Sequence, residues 1–172
     1  MKRWVILLVL ILPLLLVACG GSGGSGPPPV FTYYSSDTPQ MIPDEDFIRS
    51  DILVTGGPSY ISQVEVTVVI GHPLVSDLVL VLVSPTGGSS WVYLTENDSD
   101  GKDFWYTTFT EDALTWIVNT DSDDDPRTGY FLPNQSLDWF IGENANGVWT
   151  LDVEDNVALD DGYLIEWSID IQ

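Results

Sequence analysis

The closing stretch "YLIEWSIDI", Tyr163 to Ile171, alternates apolar and polar side chains with a period of two. On a strand, successive side chains face opposite ways, so one face collects the apolar set and the other the polar set. The alternation predicts Tyr163, Ile165, Trp167, Ile169 and Ile171 inside, with Glu166, Ser168 and Asp170 facing out. "WTLDVED" repeats the pattern, setting Trp149, Leu151 and Val153 against Thr150, Asp152 and Glu154. "VEVTVVI" places Val64, Val66, Val68 and Ile70 on one face. In "LVLVLV", Leu78 to Val83, both faces are apolar, which suggests a strand covered on both sides. "WVYL", Trp91 to Leu94, follows "SPTGGSS", a cluster of turn-forming residues. Short strands separated by Gly, Pro, Asn and Asp turns predict an all-β chain, a sandwich or jelly roll. The best helical candidate, "EDALTWIVN", has room for a turn or two.

The start of the chain reads as an address. Lys2 and Arg3 precede "VILLVLILPLLLVA", an apolar run too short for a comfortable membrane span but suited to a secretory signal. Its ending, "LVAC", resembles the lipobox of bacterial lipoproteins, in which the signal is cut before a cysteine that is then lipidated. Cys19 is the chain's one cysteine and stands where that pattern needs it. The resemblance implies a lipid anchor in a bacterial cell envelope, at the outer membrane or cell surface, since Gly20 rather than Asp follows the cysteine. Such an anchor rests on several acyl chains, because one alone binds only marginally. Residues 1–18 are thus assigned to a signal peptide, 19–42 to the lipidated cysteine and a linker, and 43–172 to one folded domain. The linker opens with the flexible "GGSGGSG" and stiffens at "PPP"; from Cys19 to Phe47 it spans roughly 30 Å as a coil.

Loss of Lys2 and Arg3 with the signal takes the net charge from −21 to −23 and leaves Arg49, Lys102 and Arg127 as the strong cations. A surface of that sign repels nucleic acid and anionic lipid and attracts divalent cations and basic partners. With Cys19 acylated, no disulfide is available.

The stretch "QVEVTVVIGHPLVSDLVLVLVSPTGG" resembles the H…DL…L.SP.G signature of the P domain, or Homo B domain, of proprotein convertases such as kexin and furin. "GYFLPNQSLDWFIGENANGVWTLDVEDNVALDDGYLIEWSIDI" is similar to that family's closing pattern, and the match runs in order from about Ile42 to Ile171. The resemblance implies a jelly-roll β-sandwich of the galactose-binding-like type with about eight strands. It also implies a non-catalytic role beside a subtilisin-like serine endopeptidase, so the expected partner is a protease or its substrate. In this pattern His72 belongs to a strand-end signature.

The residue inventory points away from catalysis. A Ser/His/Asp triad needs an imidazole beside its nucleophile, and His72 is the single histidine, followed directly by Pro73. "GGSGG" matches the nucleophile-elbow pattern only in letters, since it lies in the linker and not between a strand and a helix. Paired carboxylates for glycoside hydrolysis are available in number, but acids on the loops of a small sandwich are more often solvated or metal-bound.

Those acids instead suggest calcium, which takes several oxygen ligands in irregular geometry. "ENDSDGKDF" has Glu96, Asp98, Asp100 and Gly101 at EF-hand-like places, but Thr107 stands at the twelfth place where Glu is needed, so it is no EF-hand. The family resemblance implies calcium ligands at Asp77, Asp103 and Asp112, with Phe104 where the family commonly has Asn. Local spacing adds Asp98 and Asp100. Between the last two strands, Asp155, Asp160, Asp161 and Gly162 match the family's D….D.G connection; one or two are expected to form the turn, and Asp160 is a further candidate ligand. A rival reading is a carbohydrate-binding jelly roll using exposed Trp105, Tyr106 and Trp116. Trp149 and Trp167 read as core by alternation, and Trp139 and Phe140 read as packed.

Overall fold

The computed structural model describes residues 26–86, 91–97, 101–119 and 125–172. Cys19, Asp98 and Asp100 lie outside the described residues. The described chain forms ten strands: β1 (Phe31–Tyr34), β2 (Gln40–Ile42), β3 (Phe47–Val54), β4 (Val64–Gly71), β5 (Leu78–Val83), β6 (Trp91–Glu96), β7 (Phe104–Phe109), β8 (Arg127–Phe131), β9 (Gly147–Asp155) and β10 (Gly162–Ile171). They make a two-sheet sandwich. One sheet has the order β1-β10-β4-β7-β8, with β2 also on β10; the other has the order β3-β9-β5-β6. All pairings are antiparallel except β7 with β8.

The two inner faces follow from the alternation. Val64, Val66, Val68 and Ile70 on β4 meet Trp149, Leu151 and Val153 on β9 in one continuous core, all essentially without exposure. Fully burying an aliphatic side chain of this size contributes about 1.5–3 kcal/mol, so these inward rows are the main stabilising element. The large aromatics are also satisfied as polar groups. Trp149 Nε1 donates to Ala145 O at 2.9 Å, and its ring meets Phe140 edge-on at 5.1 Å between centroids. Trp167 Nε1 donates to Ser50 Oγ at 2.7 Å, tying β10 of the larger sheet to β3 of the smaller one.

Three expectations are corrected. The alternation of β10 breaks at a register shift between Leu164 and Glu166. Leu164 is therefore buried, whereas Tyr163 and Ile165 are 51% and 40% exposed, because an extra residue in one strand flips every side chain beyond it. The linker expected to run to residue 42 contains β1 and β2, which share the edge of β10; β1 lies opposite Ser168–Ile171 and β2 opposite Gly162–Leu164. Strands of four and three residues are too short for a period of two to stand out. The outer face of β5 is covered only in part: Val79 is buried, and Val81 and Val83 are half-buried between cross-strand neighbours on β6 and β9.

The short helical candidate becomes a 3-10 turn at Ile117–Asn119, preceded by a single bridge from Trp116 to Leu132.

Ser50 donates in turn to the Asp37 carboxylate, which also accepts from Asp51 N at 3.0 Å. Ser50→Ala leaves the Trp167 N–H in the core without its acceptor. We expect this change to cost about 1–3 kcal/mol, read as a lower midpoint in urea unfolding. Adding Trp167→Phe should couple with it non-additively, because the orphaned donor is then gone.

Candidate functional site

Strands β9 and β10 are adjacent in sequence but lie in different sheets, so the acidic connection between them crosses one end of the sandwich. His72 waits there, just past β4. Its side chain and that of Asp155, the last residue of β9, are both fully buried, with Nε2 and Oδ2 at 3.2 Å. Asp155 Oδ1 accepts from Val157 N at 3.1 Å, turning the chain out of β9. His72 Nδ1 lies 2.8 Å from Leu74 O and 3.2 Å from Leu74 N. A neutral ring accepts from Leu74 N and a protonated ring donates to Leu74 O, so either state satisfies both nitrogens. Gly162 passes directly against the ring: a Cβ there would sit 2.4 Å from His72 Cδ2 and 2.7 Å from Gly71 O. The glycine of the acidic connection is thus required by close approach.

The same end gathers three of the predicted acids. Asp103 sits in the left-handed region at φ 55°, where its carboxylate accepts from His72 N at 2.9 Å. Its backbone pairs with His72 O and Arg127 N, joining the ends of β4 and β8. Asp77 is buried in the 3-10 turn Val75–Asp77, and its carbonyl accepts from Asn156 N at 2.9 Å. The Asn97 amide, oriented by its surroundings, donates to Ser76 O and Asp77 O at 3.1 and 3.2 Å. Asp160 is half-buried in the β9–β10 connection.

Asp112 is elsewhere. Its carboxylate accepts from Gln63 Nε2 at 2.9 Å, and the stretch from Gln63 to His72 is about 30 Å of strand. Asp103 and Asp112 therefore cannot share an ion. Among the described residues no three acidic or histidine side chains converge as a metal site.

The predicted aromatic platform is likewise divided. Tyr106 is the extra residue of a bulge in β7, at φ 52°, so Trp105 and Tyr106 both point outward and meet edge-on at 5.8 Å. Trp116 bridges Leu132, beyond the Phe109 end of β7, about 13 Å along the strand from Trp105.

A family model described as the proprotein convertase P-domain matches residues 61–171. The chain belongs to that family. Among solved structures, the serine protease of Aeromonas sobria and the complex of Aeromonas sobria serine protease with a chaperone are both similar to it. Each has a TM-score of 0.50 and 19% identity, covering 84% of this chain and 27% of the solved chain. At that identity the likeness is one of fold, and this chain spans about a quarter of their length. No curated protein matches the sequence.

The P domain is a non-catalytic domain of proprotein convertases. Its signature residues take mechanical roles here. Histidine, aspartate and glycine at 72, 155 and 162 lock the end of the sandwich, and neither ring nitrogen of His72 faces a hydroxyl or thiol among the described residues.

The P domain also carries a groove that the sequence reading missed. The 3-10 turn Leu137–Phe140 buries Leu137 and Phe140, one turn apart, and leaves Trp139 at 74% exposure rather than packed. Trp139 faces Trp91 across a cavity of about 410 Å³ lined also by Gln135 and Ser136. The walls are well held. Gln135 exchanges bonds with the backbone of Tyr93, Tyr93 meets Trp91 edge-on at 5.1 Å, and Glu111 accepts from Leu137 N at 2.7 Å. The signal was present as tryptophans in non-alternating places, but their convergence needed the fold.

Asp155→Ala should cost about 3 kcal/mol by leaving His72 without its buried partner. Thermal unfolding measures it, and Gly162→Ala should lower the midpoint as well through overlap with the same ring.

Proposed function

We propose that this P domain is a non-catalytic module that binds and stabilises a protein partner, a serine endopeptidase of the subtilisin type. The reading is carried by one observation: the family's signature histidine is spent on a buried inter-sheet latch and not on a nucleophile. Support for the class of partner comes from the family itself and from the solved proteins of similar fold, one a serine protease and the other a serine protease complex with a chaperone. The lipobox-like "LVAC" would tether the module through Cys19 to a bacterial membrane, on the outer membrane or cell surface.

Photo-crosslinking from the full chain in its native cells tests the partner. We expect a subtilisin-like endopeptidase among the crosslinked proteins. Recovery of unrelated proteins alone would overturn the reading.

Calcium stabilisation belongs to the same proposal and rests on the sequence pattern around Asp77. Among the described residues no three acids meet, so an ion at Asp77 would need backbone carbonyls, water or residues outside them to complete its oxygen shell. The full chain should melt several degrees lower in chelator and recover on adding calcium, since a ligand of the native state raises stability by mass action. An identical melt in both conditions would remove the ion from the proposal.

A further inference from the structure

The cavity between Trp91 and Trp139 has two smaller neighbours. Ser136 and Trp139 also line a second section of about 350 Å³ that includes Asp138. Asp138 in turn lines a third section of about 220 Å³, together with Glu111 and Asp112. The three hollows neighbour one another through Ser136, Asp138 and Trp139 and form one grooved surface patch, aromatic on one side and acidic on the other.

The charge of the chain says what such a groove suits. Arg49 is neutralised by a two-pronged pair with Asp152, at 2.7 and 2.9 Å, and Arg127 is buried beside Asp125. Of the strong cations among the described residues, Arg49 and Lys102 are on the surface and Arg49 is paired there with Asp152, against a net charge of −21 for the whole chain. An acidic partner would be repelled over most of its approach, whereas a basic one would be drawn in. Indole faces also attract guanidinium and ammonium groups, Trp most strongly of the aromatic side chains. Trp91 lies on β6 directly opposite the half-buried Val83 of β5.

We propose that this groove receives an extended, basic segment of a protein partner. One Lys or Arg lies between Trp91 and Trp139, and a second cation lies near Asp138, Glu111 and Asp112. The proposal rests on the protein-partner reading above and names the surface and the chemistry of contact.

The test is fluorescence anisotropy with the full chain and a labelled Gly/Ser octapeptide carrying two arginines, against the same peptide with two citrullines. We expect the arginine peptide to bind and the citrulline peptide to bind at least tenfold more weakly. Trp139→Ala should weaken binding at least tenfold, and Asp138→Asn severalfold with a flatter salt dependence. Trp105→Ala, on the other sheet, should change nothing. Trp139 is exposed, so its truncation removes nothing from the core, and the melting temperature checks this. Failure of the arginine peptide to bind, or binding unchanged by Trp139→Ala, overturns the proposal. So does Trp139-dependent binding of a neutral oligosaccharide such as cellohexaose in place of the peptide.

The two readings fail separately. An endopeptidase crosslinked equally well by the Trp139→Ala chain would leave the partner and remove the groove. Peptide binding without any crosslinked endopeptidase would leave the groove and remove that partner.

Discussion

The last two strands must occupy the middle of opposite sheets, and the rest of the sandwich is arranged around that constraint. Strand β9 is paired on both sides by β3 and β5, and β10 by β4 on one side and β1 with β2 on the other. Neither sheet is complete until the chain's end has crossed between them. No disulfide can hold that crossing, since the chain has a single cysteine. The buried contact of Asp155 with His72 does so instead, joining the end of β9 to the end of β4. A charge-bearing pair removed from water is costly unless its remaining valences are met. Here Val157 N serves the carboxylate and Leu74 serves the ring.

This explains why acids are concentrated where strands must be held together. Asp155 turns and latches the connection, Asp103 anchors the first amide after β4, and Asp37 ties β3 to the turn before β2. Asp155 and Asp103 accept from backbone N–H groups just past a strand end, and Asp37 accepts from Asp51 N within the edge strand β3. Architecture therefore uses up several acids that composition alone would offer to catalysis or metal. The same accounting separates Asp112, whose partner Gln63 belongs to the far end of β4.

Exposed surface is distributed unevenly. The 3-10 turn Leu137–Phe140 sits beside the edge strand β6, and backbone bonds from Asn134 and Gln135 to Leu94 and Tyr93 cover that edge. An uncovered edge would template pairing with other chains. Covering it with a tight turn has a geometric consequence, because only every third residue faces the core. Leu137 and Phe140 are taken inward, and Trp139 is pushed into solvent opposite Trp91.

Most of the architecture could be read directly from side-chain order. The row through β9 alternates throughout and that through β4 as far as Val68, and a period of two is a property of the backbone that needs no knowledge of neighbours. The family pattern added the sandwich, since its His72, Asp77 and Gly162 stand at fixed intervals. Reading failed where one residue changes phase or where elements are too short to show one. The bulge at Leu164 reversed Tyr163 and Ile165, and β1 and β2 stayed hidden, whereas Trp105 and Tyr106 are exposed as expected, through the bulge in β7. The partners of the acids and the aromatic groove were beyond any local signal. Trp91 and Trp139, like His72 and Asp155, are distant in the chain and meet only because two sheets stack. Local order thus specified the strands and their inward faces, whereas the latch and the groove arose from packing, which alone brings remote side chains within bonding distance.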